Sequence, residues 1–290
     1  MTVEQPKLML PDFVVARAVE EALSEDLGRA GDITTDAIVP AGLQATGYVN
    51  ARQAGTIAGL QFCKTAFRLL DPDARFETEL HDGSTIDAGG AVAKVHSNAR
   101  TLLSAERVAL NFLGHLSGIA TLTRTYVDAV RGTKAHICCT RKTLPGLRQF
   151  QKYAIRAGGG MNHRFGLDDA VLIKDNHIAL AGSLDDAIER ARNHTGHMVK
   201  IEVEVDTLEQ LEQALAHPID AILLDNMPIT TLEQAVQLID GRVIAEASGG
   251  VTLDTVRAIA ETGVDLISVG ALTHSSTALD IGLDLAVSAP

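Results

Sequence analysis

The chain has 290 residues, 46% of them hydrophobic, so it can bury a full core and exceeds the size of one small domain. Its formal net charge of −12 repels nucleic-acid backbones and anionic membranes, and only 3% of residues are aromatic platforms for stacking bases. We therefore expect no nucleic-acid and no membrane partner. The three cysteines lack CxxC spacing and the first residues lack a signal-peptide pattern, which together favour a reduced, cytoplasmic protein.

The first part of the chain, residues 1–115, is predicted to form a mixed α+β domain. Residues 12–27 have the periodicity of an amphipathic helix, with Asp12 as a suitable N-cap. Between residues 42 and 97, short alternating runs are separated by glycine pairs, as in an antiparallel meander that one helical segment interrupts. Helical periodicity returns over residues 100–131.

The second part, residues 116–275, alternates strand-like and helical runs. Six strand-like runs are visible, at residues 136–140, 170–175, 199–205, 221–225, 243–248 and 266–270. Most are almost continuously apolar, as strands buried on both faces must be, and the later ones are separated by helical patterns. This alternation predicts parallel βαβ units in an α/β fold. Six strands fall short of the usual eight, so an incomplete TIM-like barrel competes with an open sheet.

Cationic residues are concentrated between residues 140 and 177, where seven lysines and arginines face three aspartates. In parallel α/β folds the functional side chains gather at the C-terminal ends of the strands. The cations at or near these ends are Arg141, Lys142, Arg164 and Lys174, with His163 nearby. They predict a pocket for a small anion, and the alternative is a solvated basic face. We assign to such a face the three cations spaced at four residues, namely Arg148, Lys152 and Arg156.

Acids and glycines occupy the remaining strand ends. Glu204 and Asp225 end neighbouring strands at matching depth, where carboxylates can bind sugar hydroxyls, hold magnesium through water or stabilise a developing positive charge. The alternative is ion pairing with the cations. The glycine-rich turns at 248–250 and 270–271 leave N–H groups at helix N-termini for a phosphate, unless they are ordinary tight turns. His274 adds a donor or caps a helix.

These motifs occur together in an order that resembles one enzyme family. The motifs are SEDLGRAGDITT, SAERVALNFLGHLSGIAT, TRKTLPGLR, GGGMNHRFGLDDAVLIKDNH, EVEVD, LLDN, EASGG, VGALTHS and DIGLD. In this order they resemble the quinolinate phosphoribosyltransferases, also called nicotinate-nucleotide pyrophosphorylases (carboxylating). The resemblance implies an incomplete α/β barrel, an N-terminal mixed domain to which residues 276–290 return, and a homodimer with shared active sites.

The resemblance also implies roles for individual residues. The quinolinate site would contain Arg107 of the partner subunit with Thr140, Arg141, Lys142, His163, Arg164 and Lys174. The phosphoribosyl pyrophosphate site would contain Glu204, Asp225, Ser248, Gly249, Gly250, Gly270, Ala271 and His274. Magnesium would be held by Glu204 and Asp225 through water. The catalytic residues would be Lys142, Lys174, Glu204 and Asp225.

The implied reaction transfers a phosphoribosyl group to quinolinate with loss of carbon dioxide, giving nicotinate mononucleotide and pyrophosphate for NAD synthesis. Positioning and electrostatics suffice for such chemistry. The sequence leaves four alternatives open. They are a nicotinate phosphoribosyltransferase that takes a mono-acid, a relative associated with molybdate uptake, a Schiff-base aldolase built on Lys174, and an anion-binding module without activity.

Overall fold

A computed structural model describes residues 9–287 of the chain. Its helices are α1 (Asp12–Leu27), α2 (Ile33–Ile38), α3 (Leu60–Leu70), α4 (Ala99–Ala129), α5 (Arg148–Ala157), α6 (Asp175–Ala181), α7 (Leu184–His194), α8 (Leu208–Ala214), α9 (Ile229–Ile239), α10 (Leu253–Glu261) and α11 (Ala271–His274). Its strands are β1 (Gln44–Ala51), β2 (Gly55–Thr56), β3 (Arg75–Glu77), β4 (Thr85–Ile86), β5 (Ala91–Asn98), β6 (His136–Cys138), β7 (Val171–Ile173), β8 (Ile201–Val205), β9 (Ala221–Asp225), β10 (Ile244–Ser248), β11 (Leu266–Ser268) and β12 (Ile281–Val287).

The described residues form two compact units. The first contains residues 9–122, 153–159 and 276–287, and the second contains residues 123–152 and 160–275. The predicted boundary between residues 115 and 116 falls inside α4, because a single helix continues through it. The C-terminal half of α5 groups with the first unit although its N-terminal half belongs to the second.

The first unit has the predicted mixed α+β architecture. A four-stranded antiparallel sheet runs in the order β12-β1-β5-β3, and α1 packs on α3. Within the core the ring of Phe62 stacks on that of Phe112 with centroids 4.8 Å apart. The expected N-cap is wrong: Pro11 precedes the first turn of α1, and Asp12 is its first residue. The Asp12 carboxylate instead accepts a hydrogen bond from Gln61 Nε2 at 2.6 Å.

The second unit is an incomplete α/β barrel, which confirms the predicted fold class. Its six parallel strands are ordered β6-β11-β10-β9-β8-β7, and helices follow the strands along the chain. Strand interiors such as Ile222, Leu223 and Leu224 are buried, as the apolar runs required. All six strands lie where the sequence predicted them. Within residues 9–287, this sheet has two strands fewer than a complete eight-stranded barrel.

Strand register determines which side chains share a face of this sheet. Glu204 lies beside Leu223 of the neighbouring strand, whereas Asp225 lies beside Ser248. Because alternate residues of a strand face the same side, these two acids and Ser248 share one face. Asp225 nevertheless lies two residues further along than Glu204, so the expectation of matching depth is wrong.

Candidate active site

The cation pocket, defined here as the guanidinium groups of Arg141 and Arg164, contains buried donors without partners. Among the described residues, the Nε atoms of both arginines are buried and make no hydrogen bond. Burial, and next the positive charge of Arg141, lower the pKa of Arg164. Two guanidinium groups that repel each other and leave buried N–H donors unsatisfied favour a bound anion, above all a carboxylate that can accept two hydrogen bonds.

The loop that follows β6 carries Lys142 to the side of Gly270. The Lys142 N–H bonds Thr140 Oγ1 at 3.0 Å, and its carbonyl accepts a hydrogen bond from Thr273 Oγ1 at 2.7 Å. A Cβ on Gly270 would lie 3.1 Å from Lys142 Cδ and 3.3 Å from His274 Nε2, so both side chains lie against this glycine. Lys142 therefore adjoins the predicted phosphate residues as well as Arg141.

Lys174 and Glu204 form a salt bridge at the strand ends. Their Nζ and Oε2 atoms are 2.5 Å apart, and the Lys174 side chain is 45% exposed. The backbone N–H of Lys174 donates to His177 Nδ1 at 2.9 Å, which ties the lysine to the first turn of α6. The ion pairing that the sequence left open for the acids thus holds for Glu204.

The donor loop, named for the phosphoribosyl donor predicted to bind there, is defined here as Asn226 with residues 248–250. Its backbone adopts left-handed conformations that few residues other than glycine tolerate. Asn226 is in the left-handed region at φ 52°, and its N–H donates to the carbonyl of Ser248 at 2.9 Å. Its side-chain Nδ2 donates to Asp225 Oδ2 at 2.7 Å. Gly249 has φ 92°, and a Cβ there would lie 2.1 Å from Asn226 Oδ1. Glycine is therefore required for the loop to approach Asn226 this closely.

A buried acid cluster that the sequence analysis missed lies on the same face of the sheet. His163 Nε2 is 3.0 Å from Glu202 Oε2 and 3.6 Å from Glu246 Oε1, and Ser268 donates to Glu246. Burial and the charge of Glu202 raise the pKa of Glu246 to about 7, against the opposing effects of His163 and Ser268. The spacing EVEV placed Glu202 on the face of Glu204, which was the available signal.

His163, a predicted quinolinate residue, uses both ring nitrogens for contacts within the chain. Its Nδ1 accepts a hydrogen bond from the backbone N–H of Arg164 at 2.8 Å, while Nε2 faces the two glutamates. Burial lowers the pKa of His163, but the hydrogen bond to Glu202 and the charges of both glutamates raise it overall. Both ring nitrogens thus have partners within the chain. The ring therefore links the main chain of Arg164 to the two buried glutamates.

The predicted solvated face on α5 is wrong for Lys152. Arg156 is exposed, but Arg148 donates to Thr143 Oγ1 at 3.0 Å and to the carbonyl of Phe165 at 3.2 Å. Lys152 is only 1% exposed. Spacing by four residues describes a stripe along a helix, and it does not distinguish a stripe in water from one buried against polar loops.

Arg107 lies on α4 in the first unit. Its side chain is 66% exposed, and Nη2 is 4.0 Å from Glu106 Oε1. Within one chain it is therefore a helix-surface residue with a weak acidic partner.

In the part of the chain that the structure describes, no helix has the length and apolarity needed to cross a membrane.

Comparison with known proteins places this arrangement in a family. A model of the quinolinate phosphoribosyl transferase C-terminal domain matches residues 119–284, and one of the N-terminal domain matches residues 32–117. The chain belongs to the quinolinate phosphoribosyltransferase family. The nicotinate-nucleotide pyrophosphorylase [carboxylating] of Mycobacterium leprae is 50% identical over 283 residues, covering 94% of this chain and 98% of the relative.

Solved structures of the family share the fold. NadC from Streptococcus pyogenes superimposes with a TM-score of 0.94 at 41% identity, covering 97% of this chain and 99% of that one. Human nicotinic acid phosphoribosyltransferase, at 11% identity and a TM-score of 0.59, covers 97% of this chain and 74% of its own. The second likeness shows a common fold only.

Proposed function

We propose that this protein transfers the phosphoribosyl group of phosphoribosyl pyrophosphate to quinolinate with decarboxylation, giving nicotinate mononucleotide, carbon dioxide and pyrophosphate for NAD synthesis. The observation that carries the proposal is the cation pocket. Quinolinate has two adjacent carboxylates, and the pocket offers two guanidinium groups whose buried Nε donors lack partners. A mono-acid would leave part of this donor set unsatisfied, at a cost of about 1–3 kcal/mol for each buried donor.

The remaining residues fit the bond changes of this reaction. The bond from the ribose C1 to pyrophosphate breaks, and the quinolinate nitrogen forms a new bond to C1. The bond from the ring to the adjacent carboxylate then breaks and carbon dioxide leaves. The electron pair of that bond stays on the ring carbon, where the neighbouring positive nitrogen stabilises it, until it takes up a proton from water, which leaves hydroxide. Asp225 faces the same side of the sheet as Ser248, where a carboxylate would stabilise positive charge developing on the ribose.

Magnesium belongs to the proposal because the donor set suits it. Glu204 and Asp225 present carboxylate oxygens, which Mg²⁺ prefers, and it usually keeps several waters when bound beside substrate phosphates. The Lys174 salt bridge occupies one oxygen of Glu204, and Asn226 donates to one oxygen of Asp225. The second oxygen of each acid would therefore hold magnesium through its water shell. Bound magnesium would neutralise charge on the departing pyrophosphate.

Two of the alternatives lose support from this geometry. A Schiff-base aldolase needs Lys174 Nζ free to attack a carbonyl carbon, whereas this atom is held 2.5 Å from Glu204 Oε2. A nicotinate phosphoribosyltransferase needs to recognise one carboxylate, for which the pair of guanidinium groups is more than required. The cytoplasmic location remains a prediction.

Ultraviolet detection of nicotinate mononucleotide tests the function directly. Quinolinate, phosphoribosyl pyrophosphate and magnesium should yield this product, and nicotinate in place of quinolinate should yield far less. Equal or greater turnover with nicotinate would identify the mono-acid enzyme. No turnover with either acceptor would leave an anion-binding module.

The proposal extends to a homodimer in which Arg107 serves the partner's quinolinate site, as the family resemblance implies. Its 66% exposure leaves the guanidinium available to a second subunit. Mixing inactive Arg107→Ala and Lys142→Ala proteins should form heterodimers with one intact site, recovering about a quarter of full activity for statistical exchange in a symmetric dimer. Confirmed subunit exchange without any recovery would contradict action across the interface.

A further inference from the structure

The side chain of Lys152 lies beneath the cation pocket and uses every donor it has. It is 1% exposed, and its Nζ is 3.1 Å from Cys139 Sγ, 2.8 Å from the His163 carbonyl and 3.0 Å from the Arg164 carbonyl. An ammonium group has three N–H donors. The buried charge is therefore matched donor for acceptor, with two consecutive carbonyl groups converging on one atom.

These two carbonyls belong to the segment that carries the Arg164 guanidinium of the cation pocket. The Arg164 N–H bonds the His163 ring at 2.8 Å, and that ring is anchored on Glu202 at 3.0 Å. Arg164 Nη1 donates to the carbonyl of Ala170 at 3.0 Å, which leaves its buried Nε for an anion. Among residues 9–287, Lys152 is the hydrogen-bond donor to both carbonyl groups, so its contacts set the peptide planes from which the Arg164 side chain departs.

Stability alone is a poor reason for this lysine. Removing a charged group from water is costly, and well-packed apolar residues often replace buried charges without loss of stability. A flexible loop would by contrast hold Arg164 in several orientations. Fixing a binding group in its bound orientation strengthens binding, because less conformational entropy is lost when the ligand binds. A buried ammonium on a regular helix is a fixed point against which two carbonyls can be aligned.

We propose that Lys152 is a positioning residue for acceptor recognition: through the main chain of His163 and Arg164, it fixes the Arg164 guanidinium in the geometry that binds the second carboxylate of a diacid. This inference rests on the function proposed above. Lys152 does not touch the substrate, and it has no role in binding the phosphoribosyl donor.

Two substitutions separate position from charge. Lys152→Met keeps the length of the side chain and removes the ammonium, whereas Lys152→Arg keeps the charge but changes the geometry of the donors. Both should weaken quinolinate binding by about tenfold or more, measured by calorimetric titration and as KM, since each misplaces the Arg164 contact. The dissociation constant for phosphoribosyl pyrophosphate should change by less than about twofold in both.

Matched controls identify a merely structural effect. Lys200→Met removes a lysine from an exposed salt bridge on the same barrel, and Leu211→Ala destabilises the barrel from a fully buried position on α8. Neither should change the ratio of the two dissociation constants. If Leu211→Ala shifts this ratio as Lys152→Met does, or if both ligands weaken together, the positioning role is wrong.

The arginine variant decides the case if the methionine variant fails to fold. Normal quinolinate affinity in Lys152→Arg would overturn the proposal, because charge at a distance would then account for the lysine. The unmodified protein separates this failure from failure of the proposed function. If it binds no quinolinate at all, the function is wrong and the inference falls with it; if it binds quinolinate and both variants bind equally well, only the inference is wrong.

Discussion

The cation pocket and the donor loop meet at the same end of one sheet but are built in different ways. Arg141 and Arg164 act through long side chains. Buried polar side chains form hydrogen bonds with the main chain that carries Arg164. The donor loop depends on its main chain, with left-handed residues at Asn226 and Gly249 and an open approach at Gly250. A site for a small planar diacid needs aimed donors, whereas a phosphate is bound well by convergent backbone N–H groups.

This difference predicts how each side will fail. The cation pocket should lose affinity for one ligand when a single side chain is removed, without affecting the other ligand. The donor loop should fail when its backbone is distorted, even though no charged group is lost. Gly249→Ala and Arg164→Ala should each break one side while leaving the other intact.

The largest effect is expected from Gly249→Ala. The added Cβ would lie 2.1 Å from Asn226 Oδ1, so Asn226 must move and release Asp225. We expect turnover to fall on the order of a thousandfold. Binding of phosphoribosyl pyrophosphate should weaken, and binding of quinolinate should not change. Gly250→Ala is the matched control, because its φ is also positive but no atom lies within 4 Å of the added Cβ. Equal losses in the two variants would mean that backbone strain, and not the contact with Asn226, matters.

Arg164→Ala should produce the next largest effect, on quinolinate affinity. Removing one of two guanidinium groups that bind a buried carboxylate typically costs about 2–5 kcal/mol of binding free energy. Calorimetric titration should show this loss for quinolinate and little change for phosphoribosyl pyrophosphate. Arg192→Ala, on the exposed face of α7, provides the control. Equal weakening of both ligands by Arg164→Ala would contradict the assignment of the pocket.

Asp225→Asn should slow the chemical step while leaving donor binding largely intact. The amide keeps the size and hydrogen-bonding capacity but removes the negative charge that would stabilise the ribose in the transition state. A fall in turnover of about a hundredfold is the size expected for one preorganised electrostatic contact. Single-turnover kinetics at saturating substrates measures it, with Glu204→Gln in parallel. Near-normal chemistry in both variants would leave the two acids as groups that only position the ribose.

The smallest effect concerns stability and pH. Burial and the charge of Glu202 raise the pKa of Glu246 to about 7, and His163 also titrates above its ordinary value. Because the folded state holds this proton more tightly than the unfolded chain does, the raised pKa of Glu246 stabilises the fold when the pH is below its ordinary pKa of 4.5. This stabilisation is lost as the pH rises through about 7. Glu246→Gln should therefore gain about 1–3 kcal/mol in unfolding free energy over the unmodified protein between pH ~5 and pH ~8.

Denaturant unfolding across this pH range measures the difference, with the exposed Glu233→Gln as control. Parallel stability curves for Glu246→Gln and the unmodified protein would show that Glu246 ionises in the fold as readily as it does in the unfolded chain.

Particular residues show what the sequence could predict. Strand–helix alternation located all six barrel strands. The strand-end rule selected Arg141, Arg164, Glu204 and Asp225 as candidates, because functional side chains in such folds follow the strands. It could not find Lys152, because a helical stripe of cations has the same spacing whether it faces water or polar loops. It also missed Glu246, whose burial depends on strand neighbours distant in sequence.

The predicted phosphate residues were selected from glycine-rich turns, but the reason for Gly249 was not visible in the sequence. Its close approach to Asn226 depends on the parallel pairing of β9 with β10, which brings residues 225 and 248 together. Similarly, the two-residue offset between Glu204 and Asp225 follows from strand register, and alternation of residue types constrains the face of a strand but not its register with a neighbour.

Titration of the unmodified protein with quinolinate and with nicotinate tests the central claim most directly, namely that the paired guanidinium groups of Arg141 and Arg164 recognise two carboxylates together. Quinolinate should bind about a hundredfold or more tightly than nicotinate, as expected when a buried charged contact is lost. Arg164→Ala should remove most of that preference. Equal affinity for the two acids in the unmodified protein would contradict the claim.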